Sequence, residues 1–192
     1  LILDQKGNII LLTRAPDLRQ AQNTSNIEDI RIWVDKDQSN PTDDLKIILN
    51  ELNLKGKKIG IEYEAYGMTG RNALRLNKSL ENYCDVEDQS ELITKHRVVK
   101  SIEEIIYVKK AAELADQALD MVWKYAKAGA GEAKILAEMQ RVVFEGGGDY
   151  PANEYIIGSG HNALLCRYQS EKRILSETDQ LTIEWAGTYK HY

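Results

Sequence analysis

The chain has 192 residues, 43% of them apolar, and a formal net charge of -5 from 25 Lys and Arg against 30 Asp and Glu. That supply of apolar residues is enough for a packed core, which excludes a disordered chain. Basic and acidic residues number 13 against 16 over 1–96 and 12 against 14 over 97–192, so neither half offers a footprint for nucleic acid or an anionic membrane surface.

Leu1-Ile2-Leu3 reads as a strand, Asp4 to Asn8 as a turn, and Ile9 to Thr13 as the returning strand. Arg14, Asp17 and Arg19 follow as a polar cluster, which by itself reads as a solvated loop. Arg31 to Asp35 is the next strand. Asn40-Pro41 then opens a helix, with Asn40 as N-cap and Pro41 at the first helical position. Leu45, Ile48, Leu49 and Leu52 supply its buried face, and Gly56 ends it. Lys58 to Tyr63 is another strand. The Gly67-Met68-Thr69-Gly70 turn leads into a short helix, capped by Thr69, whose apolar positions are Leu74, Leu76 and Leu80. Strands alternating with helices at this spacing indicate an α/β layer.

The pattern changes near Lys100. Ser101-Ile102-Glu103-Glu104 is a capping box, in which the serine accepts from the third helical N–H and Glu104 reaches back. Ile105, Val108, Ala112, Ala115, Leu119, Val122 and Ala126 recur in steps of three and four. The helix they define should span roughly 35–40 Å at 1.5 Å per residue. Ala128 to Gly131 breaks it. A second helix follows with Ile135, Leu136, Met139, Val142 and Val143 inward, and Gly146-Gly147-Gly148 stops it. Strands are expected around Tyr155 to Ile157 and Leu181 to Trp185, and Thr188 to Tyr192 reads as the start of a partner strand. A chain that opens without methionine inside a strand and stops there reads as a fragment.

Compartment and chemistry are marked only lightly. Cys84 and Cys166 are far apart with no CxxC, which suits a reduced, cytoplasmic setting. No apolar run approaches the ~20 residues of a membrane span. There is no HExxH, no GxSxG, no Walker loop and no zinc-ligand spacing. His96, His161 and His191 are too scattered to make a metal cluster alone, and each reads first as a surface or structural residue. Arg167, after Ala163 to Cys166, and Glu184, within Leu181 to Ala186, stand on segments that read as buried strands. Alternation can put either on a solvated face. Pointing inward, each needs a partner, met by an Arg–Glu pair across strands or by a substrate carboxylate in the arginine's planar fork.

The stretches His96 to Ile105, Lys109 to Asp116, Gly131-Glu132, Ile157 to Gly160 and Trp185 to Tyr192 together resemble the opening of the pita-bread catalytic domain. That family comprises the creatinases, Xaa-Pro aminopeptidases, prolidases and methionine aminopeptidases. Thr13 to Asp17 and Gly60-Ile61-Glu62 resemble the creatinase-type N-terminal domain. The resemblance implies a creatinase-type α/β domain over 1–95, then the first half of an α+β pita-bread domain over 96–192. Family peptidases bind two divalent metals through two aspartates, a histidine and two glutamates. Against the pattern Asp-x-Gly-x-x-Tyr-x-x-Tyr, Tyr189 and Tyr192 put Glu184 at the first aspartate and Ala186 at the glycine. The second aspartate would fall three residues beyond Tyr192. Counting from Ser159-Gly160-His161-Asn162 puts Arg167 where the family carries its substrate-contacting histidine, with His161 six residues too early.

Both departures favour the creatinase-like branch, yet an arginine is no general base near neutral pH. The resemblance thus implies a hydrolase of a C–N bond in a small amide, amidine or dipeptide-like molecule. Arg167 and Glu184 are its catalytic candidates, with Glu184 also the candidate metal ligand. Arg14, Asp17, His161 and His191 are its substrate-contact candidates. Creatinase-like dimers bring the N-terminal domain toward the neighbouring subunit's site, so a homodimer is expected and Arg14 and Asp17 could act in trans. The alternatives are a non-catalytic binding module and a lyase of the same fold. The 192 residues alone are expected to be inactive.

Overall fold

The computed structural model describes residues 1–165 and 167–192; Cys166 lies outside the described residues. It divides into two compact units, Leu1–Val98 and Val99–Tyr192.

In the first unit β1 (Ile2–Leu3) and β2 (Ile9–Arg14) form an antiparallel hairpin, with Leu3 opposite Ile9. The Asp4 carboxylate closes the turn by accepting from the amides of Lys6 and Asn8, at 2.8 and 2.9 Å, and Gly7 takes the left-handed conformation the turn requires. A 3₁₀ turn (Ala15–Asp17) and α1 (Leu18–Thr24) then cross to β3 (Asp29–Trp33), which pairs parallel with β2 from Ile10↔Asp29 to Arg14↔Trp33. The segment after Arg14 is therefore helical, not an open loop. Leu18 and Ala21 are its only apolar helical positions, too few to announce a period. β3 also starts two residues earlier than its apolar residues suggest, because backbone pairing with β2 reaches back to Asp29.

α2 (Pro41–Glu51) is capped by Asn40, whose side chain accepts from the Thr42 amide. β4 (Lys58–Ile61) and β5 (Asp85–Asp88) pair parallel across α3 (Gly70–Leu80), whose cap is Thr69. β5 reads Asp-Val-Glu-Asp, so only its backbone pairing makes it a strand. Leu49, Ile61, Leu76, Leu80 and Tyr83 form the buried core here. Leu74 is not part of it and stands 73% exposed, since two residues place it about 200° around α3 from Leu76. α4 (Leu92–Val98) ends the unit and carries His96, exposed.

The second unit is built on a helix pair. α5 (Ile102–Tyr125) starts at the expected capping box, with Ser101 Oγ accepting from the Glu104 amide and Glu104 accepting from the Ser101 amide. α6 (Glu132–Glu145) packs against it. β6 (Ile156–Ser159) and β7 (Leu181–Glu184) pair antiparallel, with Ile156 opposite Glu184 and Ser159 opposite Leu181. The core gathers Leu114, Ala118, Val122, Ile135, Met139, Val143, Tyr155, Ile157 and Leu175.

Two expectations are corrected in this unit. The buried stripe of α5 is Ala111, Leu114, Ala118 and Val122; of the other expected positions Ala115, Leu119 and Ala126 are half-buried, while Ile105, Val108 and Ala112 are exposed. The sequence holds two apolar stripes one residue apart, and packing chooses between them. Trp185 Nε1 donates to the Ala115 carbonyl at 3.0 Å, and Gly187 lies so close to Ala111 and Ala115 that a Cβ there would collide with helix backbone. Thr188 to Tyr192, in turn, is no strand. Tyr189 and Tyr192 exchange backbone hydrogen bonds of 3.0 and 3.1 Å around Lys190 and His191, both left-handed. Tyr192 Oη donates to Glu104 at 2.7 Å, and the Tyr107 ring sits 6.1 and 5.8 Å from the rings of Tyr189 and Tyr192.

Candidate functional site

The sequence candidates fall into two groups, one in each unit. In the first unit Arg14 and Asp17 meet directly, Nε to Oδ2 at 2.9 Å and Nη2 to Oδ1 at 3.4 Å, across the 3₁₀ turn. Both are substantially exposed, and the Asp17 carboxylate holds the Arg14 guanidinium more basic than usual. A cavity of about 290 Å³ opens between the starts of α2 and α3, lined by Asn40, Thr42, Asn72 and Arg75 among others. The buried hydroxyl of Thr42 has no hydrogen-bond partner among the described residues.

In the second unit Glu184 is the last residue of β7 and is exposed. Arg167 is also exposed and lies in a bend after the 3₁₀ turn Gly160–Leu164. It is therefore not on a buried strand, and the residue across from Glu184 is Ile156. The apolar run Ala163-Leu164-Leu165 resembles a strand in composition, but Leu165 N bonds back to the Asn162 carbonyl and Leu164 is 86% exposed. His161 is exposed within that 3₁₀ turn, and His191 is exposed in the terminal reverse turn.

The residues that organise this region were not singled out by spacing or motif. Glu132 opens α6 with no solvent exposure. Its Oε1 accepts from the Ser159 amide at 2.7 Å and its Oε2 from the Arg173 amide at 2.8 Å. Arg173 in turn donates from its guanidinium to the Ser159 carbonyl and lies 3.7 Å from Asp179. Asp179 accepts from the Ser176 amide at 2.9 Å, and that bond holds its carboxyl below the usual range. Only Gly131-Glu132 hinted at this, and an acidic residue in a first helical turn reads equally well as a partner for the helix dipole.

These residues do not by themselves fit a pair of divalent metals. Among the described residues no three His, Cys, Asp or Glu side chains gather as a metal site would require. Glu184, which the sequence resemblance sets against the family's first aspartate, is one methylene longer than that residue.

Comparison with known proteins agrees with this architecture. The Creatinase/Prolidase N-terminal domain model matches residues 1–99, and the Metallopeptidase family M24 model matches residues 107–192. The chain belongs to this creatinase/prolidase family of peptidases and amide hydrolases. It is 27% identical over 115 residues to an Xaa-Pro dipeptidase of Pyrococcus furiosus, covering 60% of this chain and 33% of that protein. It is 25% identical over 143 residues to the ectoine hydrolase of Halomonas elongata, covering 70% of this chain and 36% of that one. In fold it is similar to the X-Pro aminopeptidase from Thermotoga maritima MSB8, with a TM-score of 0.75 at 23% identity over 93% of this chain and 47% of that one. A dipeptidase from Pyrococcus horikoshii OT3 gives 0.72 at 24% identity over 96% and 49%. The chain thus spans about a third of these curated relatives and just under half of these solved ones. Its fold is a creatinase-type N-terminal α/β domain followed by part of an α+β pita-bread domain. No helix among the described residues is long and apolar enough to cross a membrane.

Proposed function

We propose that this chain works within a cytoplasmic, homodimeric hydrolase that cleaves a C–N bond in a small amide, amidine or dipeptide-like substrate, and that the 192 residues alone do not turn over. The observation that carries the reading is the loop after β6, held at both ends through Glu132, which presents His161 and Arg167 at the surface of the M24-type unit. Arg167 holds an anionic substrate group, since a guanidinium stays charged at neutral pH and cannot serve as base. Glu184 acts as acid–base group or as a ligand completed by residues outside this chain. His161 and His191 contact substrate, and Arg14 and Asp17 act from the N-terminal unit of the partner subunit.

A second reading, a non-catalytic binding module, is favoured by one observation: Arg167 and Glu184 both depart from the residue types the family uses at those places. Activity assays separate the two. The chain is incubated with an Xaa-Pro dipeptide, creatine and ectoine, with and without Mn²⁺, beside a protein of the relatives' full length that carries this sequence. The long protein should hydrolyse one of them, and Arg167→Ala in it should raise KM more than it lowers kcat. Turnover by the 192 residues alone contradicts the inactivity, and no turnover by the long protein favours the binding module.

A further inference from the structure

The geometry points to Glu132 as a positioning residue, one that sets where His161 and Arg167 stand by clamping both ends of their loop without touching substrate. The assignment of those two side chains to substrate rests on the hydrolase reading above; the clamp does not. Ser159 and Arg173 lie 27 and 41 residues beyond Glu132, yet one carboxylate receives both amides. The Glu132 amide also donates to the Arg173 carbonyl at 3.0 Å, so the backbone of Arg173 is gripped on both sides. Gly129 N to Leu175 O and Leu175 N to Ala130 O, each 2.8 Å, continue the seam. The loop therefore leaves and returns at one buried point. Arg173 adds a second clasp through the Ser159 carbonyl, and Gly160 is the residue that makes room, since a Cβ there would run into that guanidinium.

Packing alone does not explain a carboxylate here. An apolar side chain of similar volume fills a buried site at least as favourably as a charge. What a carboxylate adds is two acceptor oxygens for two N–H donors at once. Glutamine has the same shape, but it offers one acceptor and turns its own N–H₂ toward the other donor.

Glu132→Gln in the 192-residue chain is thus the discriminating variant, read by amide hydrogen exchange and by the ring NMR signals of the histidines. The expected result is exchange about tenfold faster or more at Ser159 or Arg173 and through residues 161–165 and 167–172. The α5–α6 core amides should keep their protection, and the His161 ring signal should move while the His96 signal does not. Unchanged exchange at Ser159 and Arg173, or exchange accelerated equally across the unit with a stationary His161 signal, overturns the proposal. If Glu132→Gln does not fold, Glu132→Asp carries the test, because a carboxylate one methylene shorter cannot reach both the Ser159 and Arg173 amides at their present distances. Faster exchange at the same amides then supports the clamp, and no change overturns it. Neither readout uses substrate. A loosened loop in a protein that hydrolyses nothing would leave the clamp standing and remove only the hydrolase reading.

Discussion

Both units of this chain carry surface ion pairs, but among the described residues only the second adds a fully buried carboxylate. In Leu1–Val98 the pairs are Arg14 with Asp17, Arg31 with Asp29 and Glu51, Lys58 with Glu87 and Lys95 with Glu91. Lys110 with Glu113 and Arg141 with Glu145 are their counterparts in Val99–Tyr192. Such pairs contribute little, because water screens them and ordering two long side chains costs entropy. Stability in the first unit comes from the apolar cluster around Leu49, Leu76 and Leu80. In Val99–Tyr192 a single fully buried carboxylate ties α6, the end of β6 and the strand-like return at Arg173 together. Loss of one surface charge in the first unit is therefore expected to cost little, whereas loss of the Glu132 carboxylate is expected to cost the second unit much more.

The sharpest way to break that comparison is Glu132→Ala. It leaves the buried Ser159 amide and the half-buried Arg173 amide without their acceptors, and the second unit should lose about 3–5 kcal/mol in denaturant unfolding. A loss no larger than that of a surface variant would remove the asymmetry. Ser101→Ala, which deletes the cap of α5, should cost about 1 kcal/mol by the same measurement.

Acid titration sharpens the contrast further. The folded state holds the Asp179 carboxyl below its unfolded value, chiefly through the Ser176 amide. Its contribution is therefore complete above the unfolded pKa of about 3.9 and is lost as pH falls through the lower folded value. Thermal melts of Asp179→Asn should fall less steeply below pH 4 than those of the unaltered chain. The smallest effect belongs to Lys58→Ala, whose partner Glu87 is itself exposed; its melting temperature should not measurably change.

How much of this was legible in the sequence differs by residue. The Asn40 and Thr69 caps and the Ser101–Glu104 box were readable, because a capping side chain acts within three residues of itself. The helix pair was readable from its period. The register of α5 was not, since apolar residues recur on two neighbouring stripes and the packing of α6, Trp185 and Gly187 against the helix decides between them. Tyr189 to Tyr192 read as a strand because its residues favour one, yet the bond to Glu104 and the rings around Tyr107 hold it as a turn. Arg14 and Asp17 could be paired by eye from their spacing. Glu132 could not, because its two partners lie 27 and 41 residues away and nothing local distinguishes it from any acidic residue at a helix start.

The central claim is that this chain holds a positioned loop, while among its described residues no three His, Cys, Asp or Glu side chains gather as a metal site would require. Calorimetric titration of the 192-residue chain with Mn²⁺ tests it most directly. The account predicts no saturable binding, and Glu184→Ala should behave as the unaltered chain does. One or two stoichiometric sites that vanish in Glu184→Ala would contradict it, showing that these residues assemble a metal centre unaided.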